Sequence, residues 1–238
     1  MLEIRNLTKR YKGGKLAVDN LSLTVEPGDI FAFIGHNGAG KSTTIKSVVG
    51  ILEFDSGDVL IDGRSIKTQP LECKKNLAYI PDNPDIYEHM TGIQYLNFIA
   101  DVFGVDSAVR TAKIDEYATR FEIKNNLGDM IGSYSHGMKQ KLVLISAFLH
   151  SPKLLVMDEP FVGLDPKAGF EVKQIMREMC SEGTAIFFST HVLEVAEKLC
   201  NKVAIIKDGK LVVCGDTESI VAGGSLESVF LNSEEVQS

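Results

Sequence analysis

The sequence predicts an α/β fold: a mainly parallel sheet covered by helices, an antiparallel β portion near the N-terminus, and a helical insert between later strands. Three observations predict it. "DIFAFIG" is a continuous apolar run, the pattern of a strand buried on both faces, and "KLLVMD" and "AIFFST" repeat it later. Helical patterns separate these runs, as crossovers between parallel strands require. The runs "LEIRNL" and "LAVDNLSLTV" instead alternate with period two around Gly13-Gly14, as antiparallel strands do.

After "DIFAFIG" a glycine-rich loop leads into "KSTTIKSVVGIL", read as a helix. "SGDVLIDG" is a short strand between turns, and "NLAYIP" is a strand that Pro81 stops. Over residues 82–152 the texture becomes helical. "TGIQYLNFIADVFGV", "SAVRTAKIDEYATRFEI" and "GMKQKLVLISAFLHS" read as helices, with Thr91, Ser107 and Ser135 as N-caps. "KLLVMD" resumes the strand–helix rhythm, followed by a helix over 166–180, "AIFFST", and a short helix "VLEVAEKLC". "KVAIIKDGKLVVCG" is a hairpin turning at Asp208-Gly209. The tail "GGSLESVFLNSEEVQS" reads as a short helix that frays. The chain thus reads as one domain over 1–238. Its core and antiparallel β portion occupy 1–81 and 153–238, and the helical insert 82–152.

Composition narrows the function classes. The apolar and charged fractions, 44% and 24%, are those of a soluble globular chain. A formal net charge of −7 argues against a nucleic-acid partner, which binds positive surface. Cys73, Cys180, Cys200 and Cys214 form no CxxC pair, which suits a reducing compartment. Met1 is followed by the charged, strand-like "LEIRNLTKRY", so no signal peptide is expected. "LVLISAFL" is too short to cross a bilayer, so a membrane role must come through a partner.

"GHNGAGKS" fits G-x-x-x-x-G-K-[ST] over residues 35–42, after a buried strand and before a helix. Gly35, Gly38 and Gly40 let the backbone curl, so that N–H groups through His36, Asn37, Ala39 and on to Thr43 can face an anion. The helix starting near Lys41 adds its positive end. Lys41 is expected to reach the β- and γ-phosphates of a nucleotide, and Ser42 to offer a hard oxygen to Mg2+. This predicts a P-loop nucleoside triphosphatase core. "LLVMDEP" then sets Asp158 and Glu159 at the end of an apolar strand. Asp158 is expected to hold Mg2+ through water, and Glu159 to polarise a water for attack on the γ-phosphate.

These motifs, with "YSHGMKQK" between them, resemble the nucleotide-binding ATPase subunit of ATP-binding cassette transporters over nearly the whole chain. The resemblance implies ATP and Mg2+ as ligands, Tyr11 stacking on adenine, and His191 in "STH" touching the γ-phosphate and orienting the water. It implies a head-to-tail pair, of two copies or of this chain with a paralogue. In that pair Ser135 and Gly137 would meet the other subunit's γ-phosphate, and Asp165 in "GLDP" would lie at the seam. It also implies an integral membrane permease that holds the chain at the cytoplasmic face of the membrane and chooses the substrate. "PDNPDIYEHMTGIQYL" resembles the corresponding segment of exporters, of drugs, antibiotic peptides or lipids. Two residues depart from the family pattern. His136 replaces a glycine, which is harmless only where that position does not need a positive φ. Asp82 stands where the family usually has Gln, and would add a negative charge to the metal side. The competing class, a soluble cassette ATPase acting on ribosomes or DNA, fits the acidic charge less well.

Overall fold

The structure, a computed structural model, describes residues 1–235. Two sheets form it. β1 (Leu2–Arg10), β2 (Leu16–Val25), β4 (Ser56–Ile61) and the two-residue β5 (Arg64–Ser65) make an antiparallel sheet in the order β2-β1-β4-β5. β3 (Ile30–Ile34), β6 (Leu77–Ile80), β7 (Leu154–Asp158), β8 (Ala185–Thr190), β9 (Lys202–Lys207) and β10 (Lys210–Asp216) make the second, ordered β10-β9-β3-β8-β7-β6. All its pairings are parallel except β9–β10, the hairpin on the edge.

β3 shows why its sequence carries no polar residue. Phe31 and Phe33 point into one core, with Phe187 of β8 packed between them at ring distances of 5.8 and 5.4 Å. Ile30, Ala32 and Ile34 point into the other. The first core is closed by the antiparallel sheet and by α1 (Lys41–Val48), through Ile45 and Val48. The second is closed by α5 (His136–Phe148), α6 (Pro166–Ser181) and α7 (Leu193–Leu199). α3 (Gly92–Val102) and α4 (Ser107–Arg120) of the insert join this second core through Leu96, Ala100, Ile114 and Ala118.

Local signals account for most boundaries. Thr91 caps α3 in a capping box with Gln94, and Ser135 caps α5 through the Met138 amide at 3.3 Å. Asp208 and Gly209 both take positive φ, 48° and 81°, as a two-residue hairpin turn requires.

Two expectations need correction, and one helix was not expected. Asp106, not Ser107, caps α4: its carboxylate accepts from the Ala108 amide at 2.9 Å, and Ser107 is the first helical residue. α1 stops at Val48 rather than running on to Leu52, because Gly50 turns the chain at φ 68°. The short helix α2 (Pro70–Lys75) has too few residues to show a period and is absent from the sequence reading. The chain closes with α8 (Thr217–Val221) and α9 (Leu226–Glu235); the frayed end expected of the tail falls on 236–238, outside the described residues.

Candidate functional site

The carboxyl ends of β3, β7 and β8 lie side by side, the usual place for a ligand in such sheets. β3 runs straight into the glycine loop. The hairpin turn of β9–β10 holds that loop from behind: the Gly209 amide donates to the Ala39 carbonyl at 2.9 Å. Gly40 has φ 111°, and a Cβ there would meet the Ala17 carbonyl oxygen at 2.4 Å, so no other residue fits. A Cβ at Gly35 would come 2.5 Å from the Ile206 oxygen. Gly40 offers no side-chain cap to α1, which leaves the first amides of that helix turned toward the cavity.

The cavity above the loop has a volume of about 480 Å³. Tyr11, His36, Asn37, Gly38, Gly40, Lys41, Ser42, Thr43, Asp82 and Glu159 form its wall, all anticipated from the sequence. Lys12, Lys15 and Ala17 also line it and were not anticipated. The signal for them was the basic turn "YKGGK", which brings two ammonium groups to an anion site. Gly35 and Ala39 are not on the wall. Ala39 is fully buried, and its amide is spent on the His36 carbonyl at 3.2 Å. Tyr11 stands at the rim with its hydroxyl 3.2 Å from Thr43 Oγ1.

At the floor, Lys41 Nζ donates to the Gly35 carbonyl at 2.6 Å and lies 3.6 Å from Glu159 Oε1. His191 Nδ1 is 3.0 Å from Glu159 Oε2. Glu159 itself has φ 49°, a left-handed conformation uncommon for a residue with a Cβ and recurrent at functional sites. Ser189, absent from the sequence reading, secures this turn. Its hydroxyl donates to Asp158 Oδ1 at 2.5 Å and accepts from the Glu159 amide at 3.0 Å. The only hint was a small polar residue at the end of the strand beside Asp158.

Asp158 is fully buried, yet its Oδ2 has no hydrogen-bond partner among the described residues. A buried carboxylate oxygen left unpaired is costly, so this atom fits a water or a hydrated cation. Ser42 and Asp82 supply further hard oxygens on the cavity wall. Among the described residues no three His, Cys, Asp or Glu side chains converge as a ready-made metal site, so ligand oxygens would have to complete the shell. Asn83, next to Asp82, does not line the cavity; its backbone amide donates to Asp82 Oδ1 at 3.0 Å.

Ser135, Gly137 and Asp165 do not line this cavity. Instead the start of α5 packs against the loop that leads into α6. A Cβ at Gly137 would lie 3.1 Å from the Gly163 oxygen, and Lys141 pairs with Asp165 at 2.7 Å. That lysine holds the Asp165 carboxyl below the usual range. His136 is helical, with no positive φ, so its replacement of glycine carries no backbone strain. Its ring covers Gly163, where a Cβ would clash at 2.7 Å.

A second cavity, of about 390 Å³, lies between the sheet and the insert, walled by Tyr79, Pro81, Ile86, Tyr95, Ile99 and Phe103 among others. Large apolar side chains stand exposed on the same elements, Ile51, Tyr87, Phe98 and Val102. Among the described residues no helix is long and apolar enough to cross a membrane.

A parallel sheet with a glycine loop, a buried lysine and an acidic strand end defines a P-loop nucleotide-binding ATPase fold. A family model described as "ABC transporter" matches residues 18–162, and the chain belongs to that family, with the fold of its ATPase domains. It is 37% identical to YhcH of Bacillus subtilis, an uncharacterized ABC transporter ATP-binding protein, over 89% of this chain and 68% of that one. It is 30% identical to the Nod factor export ATP-binding protein I of Burkholderia lata, over 92% of this chain and 72% of that one. A solved ATP binding subunit of an ABC transporter superposes with a TM-score of 0.94 at 32% identity, covering 99% of this chain and 100% of that one.

Proposed function

We propose that this chain is a single ATP-binding cassette that hydrolyses ATP to energise a membrane exporter, with residues 82–152 as its helical subdomain. The observation that carries the reading is Lys41 and Glu159 on the wall of the glycine-loop cavity, with His191 bonded to Glu159 beside it. ATP seats its phosphates on the free amides of α1 and its adenine against Tyr11, with Lys12 and Lys15 adding positive charge. Lys41, now spent on a loop carbonyl and Glu159, turns to the phosphates. Glu159 thereby loses its cation and is free to accept a proton from the attacking water, while His191 holds its second oxygen. Ser42, Asp158 and Asp82 are the residues that would hold Mg2+, which when bound supplies positive charge to the phosphate oxygens.

Ser135 and Gly137 open α5 away from the chain's own cavity, in support of a contact to the ATP of a second subunit, a copy or a paralogue. The apolar cleft beside Pro81 and Ile86, with exposed Tyr87 and Phe98 nearby, supports a permease contact that places the chain peripherally on the cytoplasmic face. Export is preferred because the relative named for Nod factor export aligns over 92% of the chain.

Membrane fractionation tests the reading. The wild type pellets with membranes and releases phosphate from ATP there. A Tyr87→Asp, Phe98→Asp double variant is expected to stay in the supernatant while binding ATP as before. A wild type found wholly in the supernatant, with full ATPase activity, would favour a soluble cassette ATPase.

A further inference from the structure

Tyr79 lines the second cavity and is absent from the wall of the glycine-loop cavity. It lies on β6, paired in register with Val156 of β7. Side chains alternate along a strand, so Tyr79 shares a face with Val156 and with Asp158 two residues on. Both Tyr79 and Val156 pack in the core beneath α1, consistent with that placement. The body of Tyr79 forms part of the wall of the 390 Å³ cleft. Its hydroxyl is buried and has no hydrogen-bond partner among the described residues.

Two complementary orphans therefore sit on neighbouring strands: a phenol that can donate, and Asp158 Oδ2, which can only accept. Leaving either unsatisfied costs about 1–3 kcal/mol, so each needs a partner that the protein atoms do not provide. Burial raises the phenol's pKa far above its ordinary value, and the charges of Asp158 and Asp82 raise it further. The register sets the two unpaired atoms, Tyr79 Oη and Asp158 Oδ2, on one face of adjacent strands. A gap of this kind between polar groups is where a water bridges.

We propose that Tyr79 is a positioning residue for the cation side of the site, its hydroxyl holding the carboxylate of Asp158 through a bridging water. This rests on the reading of Asp158 as a cation ligand. The hydroxyl remains protonated and donates. It fixes which carboxylate oxygens face the cavity and which face inward, as outer-shell partners of metal ligands do. Because the same ring lines the cleft, a group entering the cleft bears on the side chain that orients Asp158.

Mn2+ in place of Mg2+ gives the test, read by the loss of the free Mn2+ electron paramagnetic resonance signal in the presence of ADP. Tyr79→Phe keeps the ring and removes only the hydroxyl. The Mn2+ dissociation constant is expected to rise about tenfold or more, the usual size of an outer-shell loss. Affinity for ADP in EDTA and the thermal unfolding midpoint are expected to be unchanged. Tyr79→Met, which also lacks the donor, is expected to show the same loss. A Mn2+ constant within twofold of wild type in Tyr79→Phe would overturn the proposal and leave the ATPase reading standing. A wild type that binds no Mn2+ with ADP would overturn both.

Discussion

Glu159 sits where three constraints meet. Its backbone is left-handed, its amide is fixed by Ser189, and its carboxylate is shared between Lys41 and His191. That arrangement makes the charge balance of the floor sensitive to its neighbours. Asp82 adds a third carboxylate to those of Asp158 and Glu159 near where phosphates would lie. Without a divalent cation, these acids repel a nucleotide. ATP affinity is therefore expected to fall several-fold when Mg2+ is removed from the wild type, and to fall less in Asp82→Gln. Isothermal titration with and without EDTA checks this; a wild type indifferent to Mg2+ would contradict it. Lys41 and Glu159 were legible in the sequence because each lies in a motif at a strand or helix end, and His191 through the family resemblance. Ser189 and Tyr79 were not, because their roles follow from which strand lies beside β7, and pairing order is not written in any one segment.

At the scale of elements, periodicity and caps carried most of the fold. Continuous apolar runs marked β3, β7 and β8, since a strand buried on both faces shows no alternation. What the runs did not disclose was that β4 leaves the parallel sheet to pair with β1, a matter of long-range register. The helix starts were legible where one capping residue stood alone, as at Thr91 and Ser135. At α4 two candidates stood side by side, and the carboxylate of Asp106 won because it reaches the next free amide while Ser107 is already helical. Asp106→Ala is accordingly expected to cost about 1 kcal/mol, and Ser107→Ala no more than a few tenths. Urea unfolding of the two variants decides it, and equal losses would restore Ser107 as the cap.

For the whole molecule, the join between sheet and insert sets part of the stability. His150 follows α5, stacks on Phe103 at the end of α3 with ring centroids 3.7 Å apart, and reaches the Leu77 carbonyl of β6 at 3.4 Å. Burial lowers its pKa from 6.5 to about 4, and the nearby Lys113 ammonium adds to the effect. The folded state thus binds fewer protons than the unfolded state between these values, and stability falls as pH drops through that window. Carboxylates lowered on folding, such as Asp29, Asp165, Glu72 and Glu88, lose their contributions mainly below about pH 5, so the upper part of the His150 window is separable. His150→Phe keeps the stack and is expected to flatten the denaturation midpoint between pH 6.5 and about 4. An unchanged pH slope in that variant would show that another group controls the acid side.

The cassette reading as a whole stands on Glu159 acting as the base in a site that otherwise binds ATP intact. Single-turnover hydrolysis by Glu159→Gln measures that most directly, because the substitution removes the proton acceptor while keeping the shape. ATP affinity is expected to hold within a few-fold, hydrolysis to fall by about 10²–10⁴-fold as for loss of a general base, and ATP-bound dimers to accumulate. Hydrolysis by the variant at a rate near that of wild type would contradict the account.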